Sequence, residues 1–306
     1  MPKSSWGKAL AATPVIMTVI ATLLAGLASS EMTRAQYDRA YAAQMQSKAS
    51  DEWGYFQAKR LRSAILVNTV DLMQEITVVP PLRAESLVKA AQDSSFTPDV
   101  QTPLLKLLDS ATGRQALSAL VSGRLSVPPP AVILDADLQT AVAAIEAGRP
   151  ETEIAPLAVK VKRQSIDDAL AAAADESAKF DAGIKPMNAL IDQLNDLVAH
   201  EANLGASRQA FAAARLRLTS TRNEAEARLN QTIGYLYELK VRQSNVSAEH
   251  HHARSIRFFY GMLGAQAAVI LATLAMASRQ RNLLWTVAAA AGLLAVALAI
   301  YVYFCV

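Results

Sequence analysis

The sequence predicts an all-α integral membrane protein with three transmembrane helices and an extramembrane domain of long, coiled-coil-like helices. Three apolar runs, at residues 9–29, 258–278 and 283–306, are each about as long as the roughly 20 residues that a span needs. Hydrophobic residues make up 52% of the 306, and the mean hydropathy of +0.18 is typical of a few spans joined to a polar domain. The predicted segments are an N-terminal anchor (1–30), a long helix leaving the membrane (31–79), a helical cap with Pro-rich loops (80–156), a long helical return (157–257) and a transmembrane hairpin (258–306).

The N-terminal run, residues 9–29, is open to two interpretations. Gly26, Leu27 and Ala28 form a small-residue site at which a signal peptidase could cleave. However, the run is longer than the usual signal core of about 7–15 residues. Helical sequence also continues without a break through residues 31–76. We therefore predict that this run is a retained membrane anchor.

Beyond the anchor, apolar and aromatic residues recur at steps of three and four, which places them on one face of a helix. These residues are Tyr37, Tyr41, Met45, Ala49, Trp53 and Phe56, and the pattern continues less regularly at Leu61, Ile65, Leu72 and Ile76. Pro80 and Pro81 predict the end of this helix, because proline cannot continue the backbone hydrogen bonds.

One short segment of this helix carries a resemblance. Residues 49–59 read ASDEWGYFQAK. This segment resembles the signature of an uncharacterised bacterial membrane family, domain-of-unknown-function family 4337. Members of that family carry a similar segment after an N-terminal span, and a hydrophobic hairpin near the C-terminus. The resemblance implies a membrane protein of unknown activity, supplies no catalytic residues, and draws attention to Trp53, Tyr55 and Phe56 as packing or interface residues.

The middle of the chain predicts short helices over residues 82–92, 104–122 and 136–147, separated by prolines, and Gly113 and Gly123 are expected to weaken or end the second of these helices. The return segment is predicted to be helical, with an interruption at Gly183 and Pro186 and heptad-like spacing after them. The residues that carry this spacing are Met187, Ile191, Leu194 and Val198, followed by Leu229, Ile233 and Leu236. The two long helices are therefore expected to pair as an antiparallel coiled coil. Counted from the membrane, Trp53 and Ile233 both lie roughly 36 Å along their helices, so we expect Trp53 and Phe56 to pack against residues 229–236.

The hairpin joins two apolar runs through only four residues, 279–282, so its helices must be antiparallel neighbours. Both runs carry small residues at four-residue spacing, which lets helices approach closely in lipid, either within the hairpin or between copies. These residues are Gly264, Ala268 and Ala272 in the first run and Ala291 and Ala295 in the second. No Asp, Glu, Lys or Arg lies inside a span, and Gln266 is the strongest polar group.

The sequence offers no catalytic, cofactor or metal constellation. It contains no Gly-rich phosphate loop and no G-x-S-x-G or H-E-x-x-H motif; His200-Glu201 begins the last of these but lacks the second histidine. The three neighbouring histidines, 250–252, point about 100° apart on a helix and cannot converge on one metal, although Glu249 and His252 could share a face. The favoured interpretation is a polar interfacial segment, formed with Arg254 and Arg257 just before the span, and a pH-sensing role is an alternative. Cys305 is the only cysteine, and a net charge of +3 predicts no nucleic-acid partner.

These observations favour a non-enzymatic function: a membrane-anchored helical scaffold or accessory subunit that self-associates or docks onto a membrane complex. The expected partners are the lipid bilayer and either further copies of the chain or another membrane protein. The alternative is an oligomeric channel or transport accessory subunit, with Gln266 forming a polar ring. The expected location is the cell inner membrane, as a multi-pass protein. Basic residues are almost balanced across the spans. Because long domains are translocated largely regardless of charge and short segments decide the orientation, we expect the N-terminus inside and the extramembrane domain in the periplasm.

Overall fold

The computed structural model describes residues 5–92, 98–199, 205–278 and 281–305, and no strand occurs within these ranges. The fold is all-helical, as the sequence predicts. The helices are α1 (Ser5–Ile76), α2 (Ala84–Gln92), α3 (Pro98–Asp109), α4 (Ala111–Ser122), α5 (Ala136–Glu146), α6 (Glu151–Lys160), α7 (Arg163–Ala199), α8 (Gly205–Ala277) and α9 (Arg281–Cys305).

The chain divides into two compact units. The first unit contains Met1–Met45 and Lys240–Val306, and the second contains Gln46–Leu239. Within the part of the chain that the structure describes, three helical stretches include a segment that is apolar and long enough to cross a membrane. These stretches are Ala12–Ile76, Ser207–Ala277 and Leu283–Phe304.

In the first unit, α1, α8 and α9 pack around small and aliphatic side chains. One cluster joins Leu24 and Ala28 of α1 to Phe258 of α8 and Val302 of α9. A second cluster joins the buried alanines Ala21, Ala265 and Ala295, one from each helix. Alanine at these contacts lets the helix backbones come close together.

The buried face of α1 within this unit follows a heptad. Steps of three and four residues, which keep side chains on one face of a helix, connect its buried positions: Ala21, Leu24, Ala28, Glu31, Ala35, Asp38, Ala42 and Met45. Alanine occupies every seventh position of this series. Two carboxylates lie among the buried residues, so the face is only partly apolar.

In the second unit, α8 contributes side chains to two apolar clusters. The first is built from α3, α4, α7 and α8, and includes Leu120, Ile184 and Phe211. The second is built from α5, α6, the start of α7 and α8, and includes Ile166 and Leu236. Met187, Ile191 and Leu194, predicted from their heptad-like spacing, are buried in the first cluster. The side chain of Val198 lies outside the described residues.

Two ion pairs show that α7 and α8 run antiparallel. Arg222 Nη2 lies 3.9 Å from Asp181 Oδ1, and Arg215 Nη2 lies 2.7 Å from Asp192 Oδ1. As the residue number rises along α7, the number of its partner on α8 falls.

Two predicted helix boundaries were wrong. The helix expected over residues 104–122 is two helices, α3 and α4, because the Ser110 hydroxyl caps α4 by accepting a 2.9 Å hydrogen bond from Gly113 N. The expected end at Gly123 is correct: its φ of 64° is left-handed, which glycine adopts without strain. The interruption expected at Gly183 and Pro186 does not occur, since both lie inside α7.

The glycine inside α7 has a packing role instead. A β-carbon built at position 183 would lie 2.9 Å from Val127 Cγ2, which is too close for real atoms. Gly183 therefore lets the loop that follows α4 pack directly on the surface of α7.

The apolar face assigned to α1 from sequence was also partly wrong. Tyr37 is 70% exposed, and Ala35, Asp38 and Ala42 occupy the buried face beside it. Further along, Ser63 and Val70 are buried, whereas the more strongly apolar Leu61, Ile65, Leu72 and Ile76 are exposed. The second half of α1 therefore places several of its largest aliphatic side chains on its outer surface.

The start of α5 gives a prediction about pH. Asp135 Oδ1 accepts a 2.8 Å hydrogen bond from Leu138 N, and this bond holds the pKa of Asp135 below its ordinary value of 3.8. Because the folded pKa is the lower one, the cap contributes fully above the unfolded value and its contribution is lost as pH falls through the folded pKa. The melting temperature should fall as the pH is lowered from about 5 to about 2, and we expect a smaller fall for Asp135→Asn, which keeps a capping oxygen but has no carboxyl group to protonate. An equal fall in the wild type and the variant would contradict this assignment.

Candidate functional site

Trp53 of α1 packs against α8 in the second unit. Its Nε1 donates a 2.9 Å hydrogen bond to Glu238 Oε1, and its ring meets the Tyr235 ring edge-on with centroids 5.0 Å apart. A β-carbon built at Gly234 would lie 3.2 Å from Trp53 Cε2, so the absence of a side chain there lets the indole lie against the helix backbone. Phe56, one turn along α1, packs edge-on against Trp53 at 5.5 Å.

The contact between α1 and α8 continues through polar groups. Lys59 forms an ion pair with Glu226, which also accepts a 2.6 Å hydrogen bond from Arg222 Nε. The hydroxyls of Ser63 and Ser220, both buried, lie 2.7 Å apart. Partner numbers on α8 fall as residue numbers on α1 rise, so the helices are antiparallel in this unit. The charged pair is largely shielded from water and holds the two helices in one register.

The other residues of segment 49–59 differ in environment. Tyr55 is 60% exposed and lies away from the α8 contact. Glu52 is half-buried, and desolvation, followed by repulsion from Asp51, raises the pKa of its carboxyl above its ordinary value. The segment therefore presents Trp53 and Phe56 to its own chain and leaves Tyr55 on the surface.

In the first unit, a buried carboxylate gathers three basic side chains between α1 and α8. Glu31 is 7% exposed, and its Oε2 lies 2.6 Å from His251 Nδ1. Its Oε1 lies 3.6 Å from Arg254 Nη1 of α8 and 3.6 Å from Arg34 Nη1, one turn further along α1. Arg254 is mostly shielded from water while Arg34 is exposed. We refer to Glu31, His251 and Arg254 as the Glu31 cluster.

Hydrogen bonds on both sides extend this polar contact. Ser247 donates a 2.6 Å hydrogen bond to the buried Asp38, and Ser255 donates a 2.7 Å hydrogen bond to the Ala28 carbonyl. A charged group buried between two helices requires a hydrogen-bonding or oppositely charged partner at the same level along the other helix. The arrangement therefore selects one register for α1 and α8 in this unit.

The three histidines have different environments. His251 belongs to the Glu31 cluster, and His250 lies beside it with the ring centroids 5.9 Å apart. His252 Nδ1 is buried without a hydrogen-bond partner in the described part of the chain. Among residues 5–92, 98–199, 205–278 and 281–305, no three His, Cys, Asp or Glu side chains meet as metal ligands. His200 and Glu201 lie outside these ranges.

The small residues predicted to pack the hairpin are buried or half-buried, and Gly264 of α8 faces α9. Ala268 and Ala272 are fully buried, and Ala295 is nearly so. A β-carbon built at Gly264 would lie 3.5 Å from Ala295 Cβ, an ordinary contact distance. Ala291 is half-buried at the same contact. Gly292 faces the third helix, since a β-carbon there would lie 2.5 Å from Met17 Sδ of α1. Residues 279–280 of the connector are not described.

The polar contact of the Glu31 cluster was missed from the sequence. A search for apolar residues at helical spacing does not select Glu31 and Asp38, because charged residues are rarely buried. The signal that could have found them is the run of alanines at every seventh position, since Glu31 and Asp38 fall on the same helical face as Ala28, Ala35 and Ala42.

Comparison with known proteins identifies one similarity. The model of the family described as Domain of unknown function (DUF4337) matches residues 6–96. The match covers the whole segment from Trp6 through α2 and includes Trp53, and it confirms the resemblance drawn from residues 49–59. Comparisons with curated proteins and with solved structures found no match.

Proposed function

We propose that this protein is a multi-pass membrane-anchored helical scaffold or accessory subunit that associates with copies of itself or with a membrane complex, and that it is not an enzyme. In this proposal, the apolar segments of α1, α8 and α9 cross the cell inner membrane, and the second unit is the extramembrane domain, on the periplasmic side. One observation carries the proposal. Helices α1 and α8, of 72 and 73 residues, each contain an apolar segment of spanning length and a polar segment in a single unbroken helix.

The use of the polar side chains also supports a structural role. Three charged groups on α1, of which Glu31 and Asp38 are buried and Lys59 is half-buried, pair with partners on α8: Glu31 with His251 and Arg254, Asp38 with Ser247, and Lys59 with Glu226. These groups are held in contacts between helices, where they fix register. A scaffold needs such fixed geometry over a long surface.

The transport alternative depends on Gln266. This side chain is exposed on the outer surface of α8, while Ala265 and Ala268 on either side of it are buried against the other helices. Gln266 therefore does not line a path between the three helices of one copy. In the scaffold proposal it contacts a neighbouring helix, because amides form hydrogen bonds between helices in lipid.

The proposal is tested by purifying a tagged full-length chain in mild detergent from cells that also express a second, differently tagged copy. We expect the second copy, or one membrane protein in fixed ratio, to be recovered and identified by mass spectrometry. Lysates mixed after separate expression are the control, since exchange in detergent would appear there. Recovery of a single chain with no stoichiometric partner would contradict the proposal.

A further inference from the structure

The second half of α1 carries an apolar stripe that its own chain does not cover. Its members follow steps of four, three, four, four, three and four residues: Gly54, Ala58, Leu61, Ile65, Thr69, Leu72 and Ile76. All seven are exposed, and Leu61, Ile65, Leu72 and Ile76 are 62%, 53%, 62% and 78% exposed. We refer to these seven residues as the outer stripe.

The outer stripe lies opposite the face of α1 that packs on α8. At about 100° per residue, Leu61, Ile65 and Leu72 lie roughly 160–180° around the helix from the buried Ser63. The helix therefore has two distinct faces. One packs against α8, and the other is apolar and exposed.

The spacing of the outer stripe repeats every eleven residues, as Gly54, Ile65 and Ile76 show. Eleven residues make almost exactly three helical turns, so the stripe stays on one side of the helix over about 33 Å. No charged residue lies within it. Thr69 is the one hydroxyl, and it donates a 2.8 Å hydrogen bond to the Ile65 carbonyl, which satisfies its donor inside the helix.

Gly54 is a second, independent observation. It lies in the interior of α1, where glycine destabilises a helix relative to alanine. A β-carbon built there would meet nothing within 4 Å, so no neighbour in the described chain explains the missing side chain. A glycine in such a position lets another helix approach closely.

We propose that the outer stripe is the surface through which two copies of this chain associate, with their α1 helices parallel and in register. This inference rests on the proposed membrane anchoring, because two copies inserted in one membrane leave it in the same direction. In a parallel pair with two-fold symmetry, each stripe residue faces the same residue of the other copy.

The size of the stripe fits a second copy in the same membrane. A stable interface formed from free solution buries about 800 Å² on each partner, and one helical stripe with four large side chains offers less. Chains held in a bilayer are already oriented and concentrated, so the cost of ordering them on association is smaller. The stripe therefore suits a partner that shares the anchor.

The test uses the full chain in native membranes, with Cys305→Ser as the background so that each variant has a single cysteine. We expect Leu61→Cys, Ile65→Cys and Leu72→Cys to form disulfide-linked dimers on mild oxidation. Val67→Cys is the matched control, because Val67 is 44% exposed but lies on the other side of α1. We expect at least fivefold less dimer from Val67→Cys than from Ile65→Cys. Equal crosslinking at Val67 would overturn the inference, since random collision would explain it.

A second pair of variants separates this inference from the proposed function. The oligomeric state of the wild type and the variants is measured in nanodiscs. The double variant Ile65→Lys with Leu72→Lys should be monomeric, whereas Val67→Lys should remain dimeric. Neither variant should change the melting temperature, because all three sites are exposed. A dimer that survives the double change overturns the outer stripe but leaves self-association intact. A wild-type chain that is monomeric in the membrane overturns both the stripe and the self-association part of the proposed function.

Discussion

Trp53→Ala is expected to destabilise the second unit by about 3 kcal/mol, the lower end of the range for a large aromatic ring because Trp53 is partly exposed. The substitution removes the ring that packs on Gly234 and Tyr235 and leaves Glu238 without the indole donor. Thermal unfolding of the full-length protein, followed by circular dichroism, measures the effect.

Two variants divide this effect into its parts. Trp53→Phe keeps a ring but loses the hydrogen bond to Glu238, and should cost about 1 kcal/mol. Tyr55→Ala is the control, since Tyr55 is 60% exposed and should stay within about 0.5 kcal/mol of wild type. If Trp53→Ala leaves the melting temperature unchanged but releases a bound partner, then Trp53 is an interface residue and the intramolecular packing has no energetic importance.

Removal of the Glu31 carboxylate should have the other large effect. Glu31→Ala leaves His251 and Arg254 largely shielded from water without their negative partner, and we expect a loss of about 3 kcal/mol. Glu31→Gln should lose less, because an amide oxygen can still accept hydrogen bonds. Glu75→Ala on the exposed surface of α1 is the control.

A combined variant tests the cause of that loss. The triple variant Glu31→Leu, His251→Leu, Arg254→Met removes the whole Glu31 cluster, so no buried charged group is left without its partner. We expect this triple variant to be more stable than Glu31→Ala, because apolar side chains of similar volume can replace a buried charged group at little cost. A triple variant as unstable as Glu31→Ala would contradict the electrostatic explanation.

Several features of the fold could be predicted because they depend on local properties of the sequence. The three apolar runs, the helical secondary structure and the end of a helix at Gly123 were correct. The contact of Trp53 with α8 was also predicted, from equal distances along two helices that start at one surface. The exact partners differ: Leu236 is buried in the cluster with α5 and α6, and Gly234, Tyr235 and Glu238 face Trp53 instead. Different residues of α8 contact different neighbouring helices, and a single sequence does not show which residue contacts which helix.

The face of α1 that packs against α8 was the hardest feature to predict from periodicity. The buried face of α1 contains Glu31, Asp38 and Ser63, whereas Leu61 and Leu72 lie outside it. A search for apolar residues at helical spacing therefore finds the outer stripe and misses parts of the packed face. In this helix, polar side chains are buried with their partners and several aliphatic side chains are exposed, which is the reverse of the usual pattern. The packed face of α1 can therefore be told from its exposed face only from three-dimensional contacts.

The retention of the first apolar segment tests the account most directly, since α1 continues unbroken past residue 29 and buries Ala21, Leu24 and Ala28 against α8 and α9. The measurement is the intact mass of the protein extracted from membranes after an alkaline wash, together with its N-terminal sequence. We predict that the protein stays in the membrane pellet and that its mass includes residues 9–29. A mature chain that begins at Ser29 would contradict the account, because the cleaved protein would lack the helix that covers Phe258 and Ala265.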